Sequence, residues 1–337
     1  MPEPGAGSPG SGTAADDHGR LASLINSPLD LPRVFLGCHG ILRGRMHAEN
    51  MYVCVREGEG LRFPYFVDEV EPESPLELYP KRGLSGHILD TGEAFHLGPG
   101  GSFPGGVELV GGMPSDYLGV PLRNRAGRVS GVLAVQTYAP GTSYSDGDLA
   151  FLSFAADGLS LAIQRATLER ELAAYRIAAL VEETVDAEEL YRRIHEVVAG
   201  VIPASARNLV FARVDESAGV FRSEYGRDEH WTGPVTSWPL EDGLSGWIYT
   251  RHGRSFIFED GRTPLPPDAR LAGGPVPAFW LGAPLVLQGR IIGMVIVQSY
   301  SPDEPITRED EFALNAICPH IATAIGRTEL FSRFLLG

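Results

Sequence analysis

Several residues have the type and spacing to suggest chemistry. Serines stand in Gly83-Leu84-Ser85-Gly86 and Gly243-Leu244-Ser245-Gly246. A hydrolase nucleophile elbow needs G-x-S-x-G, whereas position 87 is His and position 247 is Trp, so these glycines and serines are expected to open a helix. Cys38, Cys54 and Cys318 form no C-x-x-C pair and are too few for a disulfide framework. They read as reduced, mostly buried thiols. His195-Glu196 lies in a helical run and is expected as a half-exposed pair. His87, His96 and His252 carry imidazoles that could ligate a metal. No carboxylate or second His stands at ligand spacing on the same element, so no metal and no catalytic residue is assigned.

The elements that must position these groups come in two sets. At 337 residues the chain exceeds the usual domain of roughly 100–200 residues, which points to two domains. A formal charge of -15 repels polyphosphates and anionic headgroups, so neither nucleic acid nor membrane is expected as a partner. No apolar run is long enough for a membrane span, and the first 25 residues have neither the basic nor the apolar region of a secretory signal. A cytoplasmic location is expected. Residues 1–25, rich in Gly, Pro, Ala and Ser at the start, are expected to be a disordered tail.

The organising feature is an internal repeat. GLSGHILDTGEAF at 83–95, YLGVPLRNRAGRVSGVLAVQTY at 117–138 and SDGDLAFLSFAADGLSLAIQR at 145–165 recur as GLSGWIYTRHGRSF at 243–256, WLGAPLVLQGRIIGMVIVQSY at 280–300 and TREDEFALNAICPHIATAIGR at 307–327. The offset is 160 at the first block and 162 from Tyr138 and Tyr300 onward, so only small loop insertions separate the copies. Each copy has a helix (31–46 and 187–202), the second introduced by Asp186 with Glu189 at capping-box spacing. Two strand-like hairpins follow: NMYVCVRE with GLRFPYFVDE, then LGVPL with VSGVLAVQTY; and RNLVFARVD with GVFRSEYG, then LGAPL with IIGMVIVQSY. A long helix closes each copy, opened by Ser145-x-x-Asp148 or Thr307-x-x-Asp310. The fold class is α+β: a central antiparallel sheet in each copy, flanked by N- and C-terminal helices, with a long helix joining the two.

From Asp148 to about Glu183 the chain has no Pro and one Gly, with apolar positions at helical spacing, so residues 167–185 are expected to be a helical connector. The Pro- and Gly-rich stretch 261–278 reads as a loop, either a lid over a pocket or a surface loop. Residues 328–337 read as a helical extension with an apolar stripe. Leu172, Tyr175, Leu330, Phe331 and Phe334 are the positions expected to pair two copies into a parallel homodimer.

In this order, and twice over, these motifs make each copy similar to bacterial GAF domains: the strand FPYFVDE at 63–69, the GLSG turn, [YW]-LG-x-PL, the following hairpin and VQ-[ST]-Y. The first copy resembles GAF modules found upstream of histidine kinases and diguanylate cyclases. The implied domains are 26–166 and 186–327. The resemblance implies a sensory, dimerising module whose final helices relay a change to an effector domain or signalling partner, with no cofactor and an unknown small ligand. It places a ligand pocket near Tyr65, His87 and Tyr117 in the first copy and Trp247, Phe256 and Trp280 in the second. Phytochrome GAF domains attach bilin through a Cys-His pair, but Cys38-His39 lies on the first helix and does not match that position. The cyclic-nucleotide signature is broken, since Arg125 follows Asn124 and no D-E follows Phe151 at the required distance. The alternatives are a ligand-free dimerisation scaffold and an enzyme on the same fold, such as a methionine sulfoxide reductase. The latter needs clustered reactive cysteines, and the three here fall on separate elements. FPYFVDE has become FRSEYGRDE at 221–229, so the copies are expected to differ where they would bind.

Overall fold

The computed structural model describes residues 14–27, 29–71, 79–108, 110–183, 186–230, 237–267, 269–271 and 275–336, with side chains described from 16 to 180 and from 186 to 327 within those limits. The chain divides into two compact units, residues 1–166 and 167–337.

In the first unit, helices α1 (Ala14–Ile25) and α2 (Leu31–Arg43) precede strands β1 (Asn50–Glu57), β2 (Gly60–Val67) and β3 (Tyr79–Pro80). Helix α3 (Gly83–Thr91), strands β4 (Phe95–His96), β5 (Asp116–Arg123) and β6 (Val129–Thr137), and the start of α4 (Asp146–Glu183) complete it. The described strands form one antiparallel sheet in the order β3-β2-β1-β6-β5-β4.

Strand side chains alternate between faces with a period of two, and here both faces are covered. Met51, Val53, Leu133 and Val135 join the cluster beneath α1, α2 and α4. Tyr52, Cys54, Val132 and Ala134 join a smaller cluster on the other face, under α3. That double burial explains why these strands read as near-continuous apolar runs.

The second unit repeats this plan with α5 (Ala187–Ala199), β7 (Leu209–Asp215), β8 (Val220–Arg227), β9 (Ser237–Pro239) and α6 (Gly243–Trp247). Strands β10 (Phe256–Glu259), β11 (Phe279–Leu287) and β12 (Arg290–Ser299) and helix α7 (Arg308–Leu336) follow. The sheet order, β9-β8-β7-β12-β11-β10, matches the first. One insertion has a visible consequence. Helix α3 runs from Gly83 to the left-handed cap Gly92, whereas its counterpart needs one more residue to get from Gly243 to Gly253, and the extra residue is taken up as a π turn at Ile248–His252.

The caps form largely as their spacing predicts. Ser145 and Asp148 bond reciprocally, as do Thr307 and Asp310. At α5 only half the box forms: Asp186 accepts from the Glu189 N–H at 2.9 Å, while the Glu189 side chain turns to Arg192.

Two expectations change. The tail does not extend to residue 25. Residues 14–25 form α1, because Leu21, Leu24 and Ile25 recur at helical spacing and Leu21 and Ile25 are buried against α2 and α4; residues 1–13 lie outside the described residues. The stretch expected as a connector is helical to Glu183, with 184 and 185 outside the described residues, but it is no free spacer: Ala173, Ile177 and Leu180 are buried in the second unit's core. Leu21 and Ile177 are both fully buried, and each stands eighteen residues before a buried histidine, His39 or His195. Helix α1 and the C-terminal half of α4 are therefore the same element of the repeat.

Candidate functional site

The two copies share a framework built on paired polar side chains. His39, on α2, bonds through Nε2 to the Ala48 carbonyl at 2.5 Å and through Nδ1 to the Tyr65 hydroxyl at 2.7 Å. His195, on α5, bonds in the same way to the Ser205 carbonyl (2.7 Å) and the Tyr225 hydroxyl (2.8 Å). A carbonyl only accepts, so Nε2 carries the proton and Nδ1 accepts from the tyrosine, which defines a neutral tautomer. Burial lowers both imidazole pKa values and outweighs the carbonyl bond that would raise them. His195 is 4% exposed, not the half-exposed residue its helical context suggests; its partner Tyr225 arrives from a strand thirty residues away.

These bonds correct the placement of Tyr65. A bulge in β2 sets Val53 opposite Tyr65 but Val55 opposite Arg62, adding one residue to β2. The alternation therefore changes phase. Phe63 and Phe66 both line the cavity face, while Tyr65 turns to the helix face against Phe35 and His39.

On the cavity face of the first unit, a space of about 130 Å³ lies between the sheet, α3 and the residues Phe103, Val110, Gly111, Gly112 and Pro114. Its walls include Tyr52, Phe63, Phe66, Tyr79, Tyr117 and Tyr138. The Tyr52 hydroxyl bonds both Ser85 Oγ (2.9 Å) and the Tyr117 hydroxyl (3.0 Å), and burial raises both tyrosine pKa values, so all three groups are neutral hydroxyls. Ser85 is thus part of a hydroxyl chain rather than a nucleophile. Asp68 accepts from the Val70 and Glu71 N–H groups, from Gln136 Nε2 at 2.6 Å and from the Tyr138 hydroxyl at 3.2 Å. This cluster holds the cavity's other side.

Of the positions expected around a pocket in the first copy, Tyr117 borders this cavity, Tyr65 is on the opposite face, and His87 packs edge-on to Phe95 at 5.7 Å, away from the lining. In the second copy Trp280 is 6% exposed and, with Phe221, Leu244 and Ile248, belongs to the cluster on the corresponding face. Trp247 stacks on His252 at 4.4 Å and meets Phe256 at 5.2 Å. Counting back from Tyr65 and Tyr225, the rings of Tyr52, Phe63 and Phe66 are replaced by Val210, Ser223 and Gly226. The described parts of 261–278 carry neither helix nor strand, and Ala269 and Leu271 pack against the same cluster.

One pairing is invisible in the sequence. His96, on β4, lies 3.0 Å from the fully buried carboxylate of Asp116 on β5, which also accepts from the backbone N–H groups of Gly98, Tyr117 and Tyr144. Burial alone would raise the Asp116 pKa, but the Tyr144 N–H and His96 together hold it below the usual carboxylate value. Asn124 folds back on the Ala126 and Arg128 N–H groups and shapes a hairpin turn. Among the described residues no group of three or more His, Cys, Asp or Glu could hold a metal ion. Cys38, Cys54 and Cys318 fall in three different clusters, and burial pushes each thiol up to about 12.

Family models agree with this duplicated architecture. One GAF-domain model matches residues 33–163 and another matches residues 184–326. The chain is a tandem of two GAF domains. No curated protein matches it. Among solved structures, the GAF domain of an Acinetobacter phosphoenolpyruvate-protein phosphotransferase is similar at 22% identity, covering 46% of this chain and 94% of that one, with a TM-score of 0.38. The corresponding Coxiella burnetii GAF domain is 16% identical, over 49% and 98%, at 0.42. A free methionine-R-sulfoxide reductase from Neisseria meningitidis is 18% identical, over 49% and 93%, at 0.40. GAF domains are in general sensory and regulatory modules, and this chain has two of them in series. Among the described residues no helix is long and apolar enough to cross a membrane.

Proposed function

We propose that the chain is a non-catalytic signal-input module in which the first GAF domain binds a small organic ligand and the second serves chiefly as scaffold. The observation that carries this reading is the difference between equivalent faces: a ring-lined cavity with a few fixed polar groups in the first domain, and in the second Val210, Ser223 and Gly226 in place of three of those rings, with the larger Trp280 in place of Tyr117. Ligand binding would favour one of two arrangements of the cavity wall, and the helices would relay that preference to an output on another domain or chain. A histidine kinase or diguanylate cyclase is the effector class the first copy's motifs suggest.

Exposed apolar side chains on α4 support a homodimer. Leu161, Leu168 and Tyr175 recur every seven residues, with Leu172 beside them, and Tyr175 is 73% exposed. The side chains of Leu330, Phe331 and Phe334 lie outside the described residues. The three free thiols fit a reducing cytoplasm. Thiol catalysis gains nothing from their placement, since each is isolated and burial disfavours its thiolate.

Thermal-shift screening of the full chain against nucleotides and small metabolites tests the reading, because a ligand that binds only the folded state raises its stability. The variant Tyr117→Trp, which copies the second domain's residue, is expected to fill the cavity and abolish any shift. A broad screen that finds no stabilising ligand would favour the ligand-free scaffold.

A further inference from the structure

We infer that the first domain's cavity is built for a small organic cation of about the size of a trimethylammonium group. This rests on the reading that the cavity binds a ligand, and makes it specific.

Size sets the first limit. A cavity of about 130 Å³ is close to the roughly 150 Å³ apolar cavity known to admit a benzene ring. It takes one compact group, not a nucleotide.

Chemistry sets the second. The walls present the rings of Tyr52, Phe63, Phe66, Tyr79, Tyr117 and Tyr138. Aromatic faces carry negative quadrupole density that attracts cations. One wall already does so: the Arg82 guanidinium lies 5.6 Å from the centre of the Tyr79 ring.

Donor accounting separates a cation from an anion. An anion needs N–H or O–H donors, and those of Gln136, Tyr138 and the Ser85–Tyr52–Tyr117 hydroxyl chain are largely engaged with one another and with Asp68. Gln136 Nε2 donates to Asp68 and to the Tyr138 hydroxyl, and the Tyr138 hydroxyl donates to Asp68. Ser85, Tyr52 and Tyr117 use two of their three hydroxyl protons in the bonds that link them. Among the described lining residues Arg82 alone carries a positive charge, against the carboxylates of Asp68 and Glu71. With a chain charge of -15, the long-range field also draws cations and repels anions. In the second domain Val210, Ser223 and Gly226 replace three of these rings.

The test uses three probes of one shape and different charge on the full chain: choline, its uncharged isostere 3,3-dimethylbutan-1-ol, and anionic 3,3-dimethylbutanoate. Calorimetric titration is expected to show choline binding about tenfold more tightly than the alcohol, with the acid weakest. Phe66→Leu, or Phe63→Leu if the first variant melts early without ligand, should weaken choline about fivefold and leave the alcohol within about twofold. Glu71→Gln should weaken choline about threefold. If the alcohol or the acid binds as tightly as choline, the cation class is wrong and the ligand-binding reading stands. If none of the three binds, the cation inference falls; a different ligand whose thermal shift disappears in Tyr117→Trp would still preserve the broader reading.

Discussion

His39 and His195 make the same two bonds in two domains that otherwise diverge, so the residue scale shows what the fold itself needs. Each imidazole ties α2 or α5 to the strand β2 or β8 and to the Ala48 or Ser205 carbonyl, and each is held neutral by burial. The consequence for pH has a definite sign. A folded-state pKa below the unfolded value of about 6.5 means that, between the two, the unfolded chain binds a proton the folded chain does not. Stability is therefore complete above about pH 6.5 and falls as pH drops below it. Melting temperatures measured from pH 8 to 5 should decline through that window, and His39→Gln together with His195→Gln should flatten the decline. An unchanged slope would mean that other groups dominate. Asp116 acts lower on the scale: its depressed pKa contributes stability above the unfolded value of about 3.9, lost as pH falls further through the folded-state value.

At the scale of elements, the C-terminal half of α4 is pinned to the start of α7 by a buried ion pair. Arg170 lies 3.2 Å from Glu309, their side chains 10% and 5% exposed, and the same guanidinium sits over Phe312. Removing one partner leaves a buried charge, so Glu309→Ala is expected to destabilise the second domain by about 3 kcal/mol. Arg170→Met with Glu309→Leu should cost clearly less than the sum of the two single substitutions in a double-mutant cycle followed by urea unfolding. The exposed side of the same helix carries the proposed dimer contact. Leu168→Glu with Leu172→Glu should shift the chain toward monomer in sedimentation velocity while leaving its circular dichroism unchanged. A chain that is already monomeric across a dilution series would remove the dimer.

For the whole molecule, duplication with divergence separates scaffold from sensor. Asn50 and Asn208 each accept from a glutamate N–H, at Glu69 and Glu229, and Tyr138 and Tyr300 each reach an aspartate, Asp68 and Asp228. The scaffold is thus kept in both domains, while the rings of Tyr52, Phe63 and Phe66 are kept in one. Hydrogen exchange of the full chain with saturating ligand should show added protection in α3, β2 and β6 and little between residues 186 and 327. Equal protection in both domains would contradict a single sensing domain.

Much of this molecule is legible in the sequence because it is written locally. The repeat, the strand runs, the Ser145/Asp148 and Thr307/Asp310 caps and the fold class depend on period and on neighbours three or four residues apart. Short α1 was hidden behind a polar, glycine-rich start, and only its contact with α2 and α4 makes Leu21 and Ile25 core residues. The site was decided by tertiary structure. A one-residue bulge moved Tyr65 from the cavity face to His39, and no side-chain period read along the strand reports a bulge, which exists only in register with a partner strand. Asp116 met His96, and Tyr52 met Ser85 and Tyr117, across twenty to sixty-five residues of chain. Sequence determined which elements form and that they form twice; through-space pairing decided which rings close around a cavity and which simply complete a core.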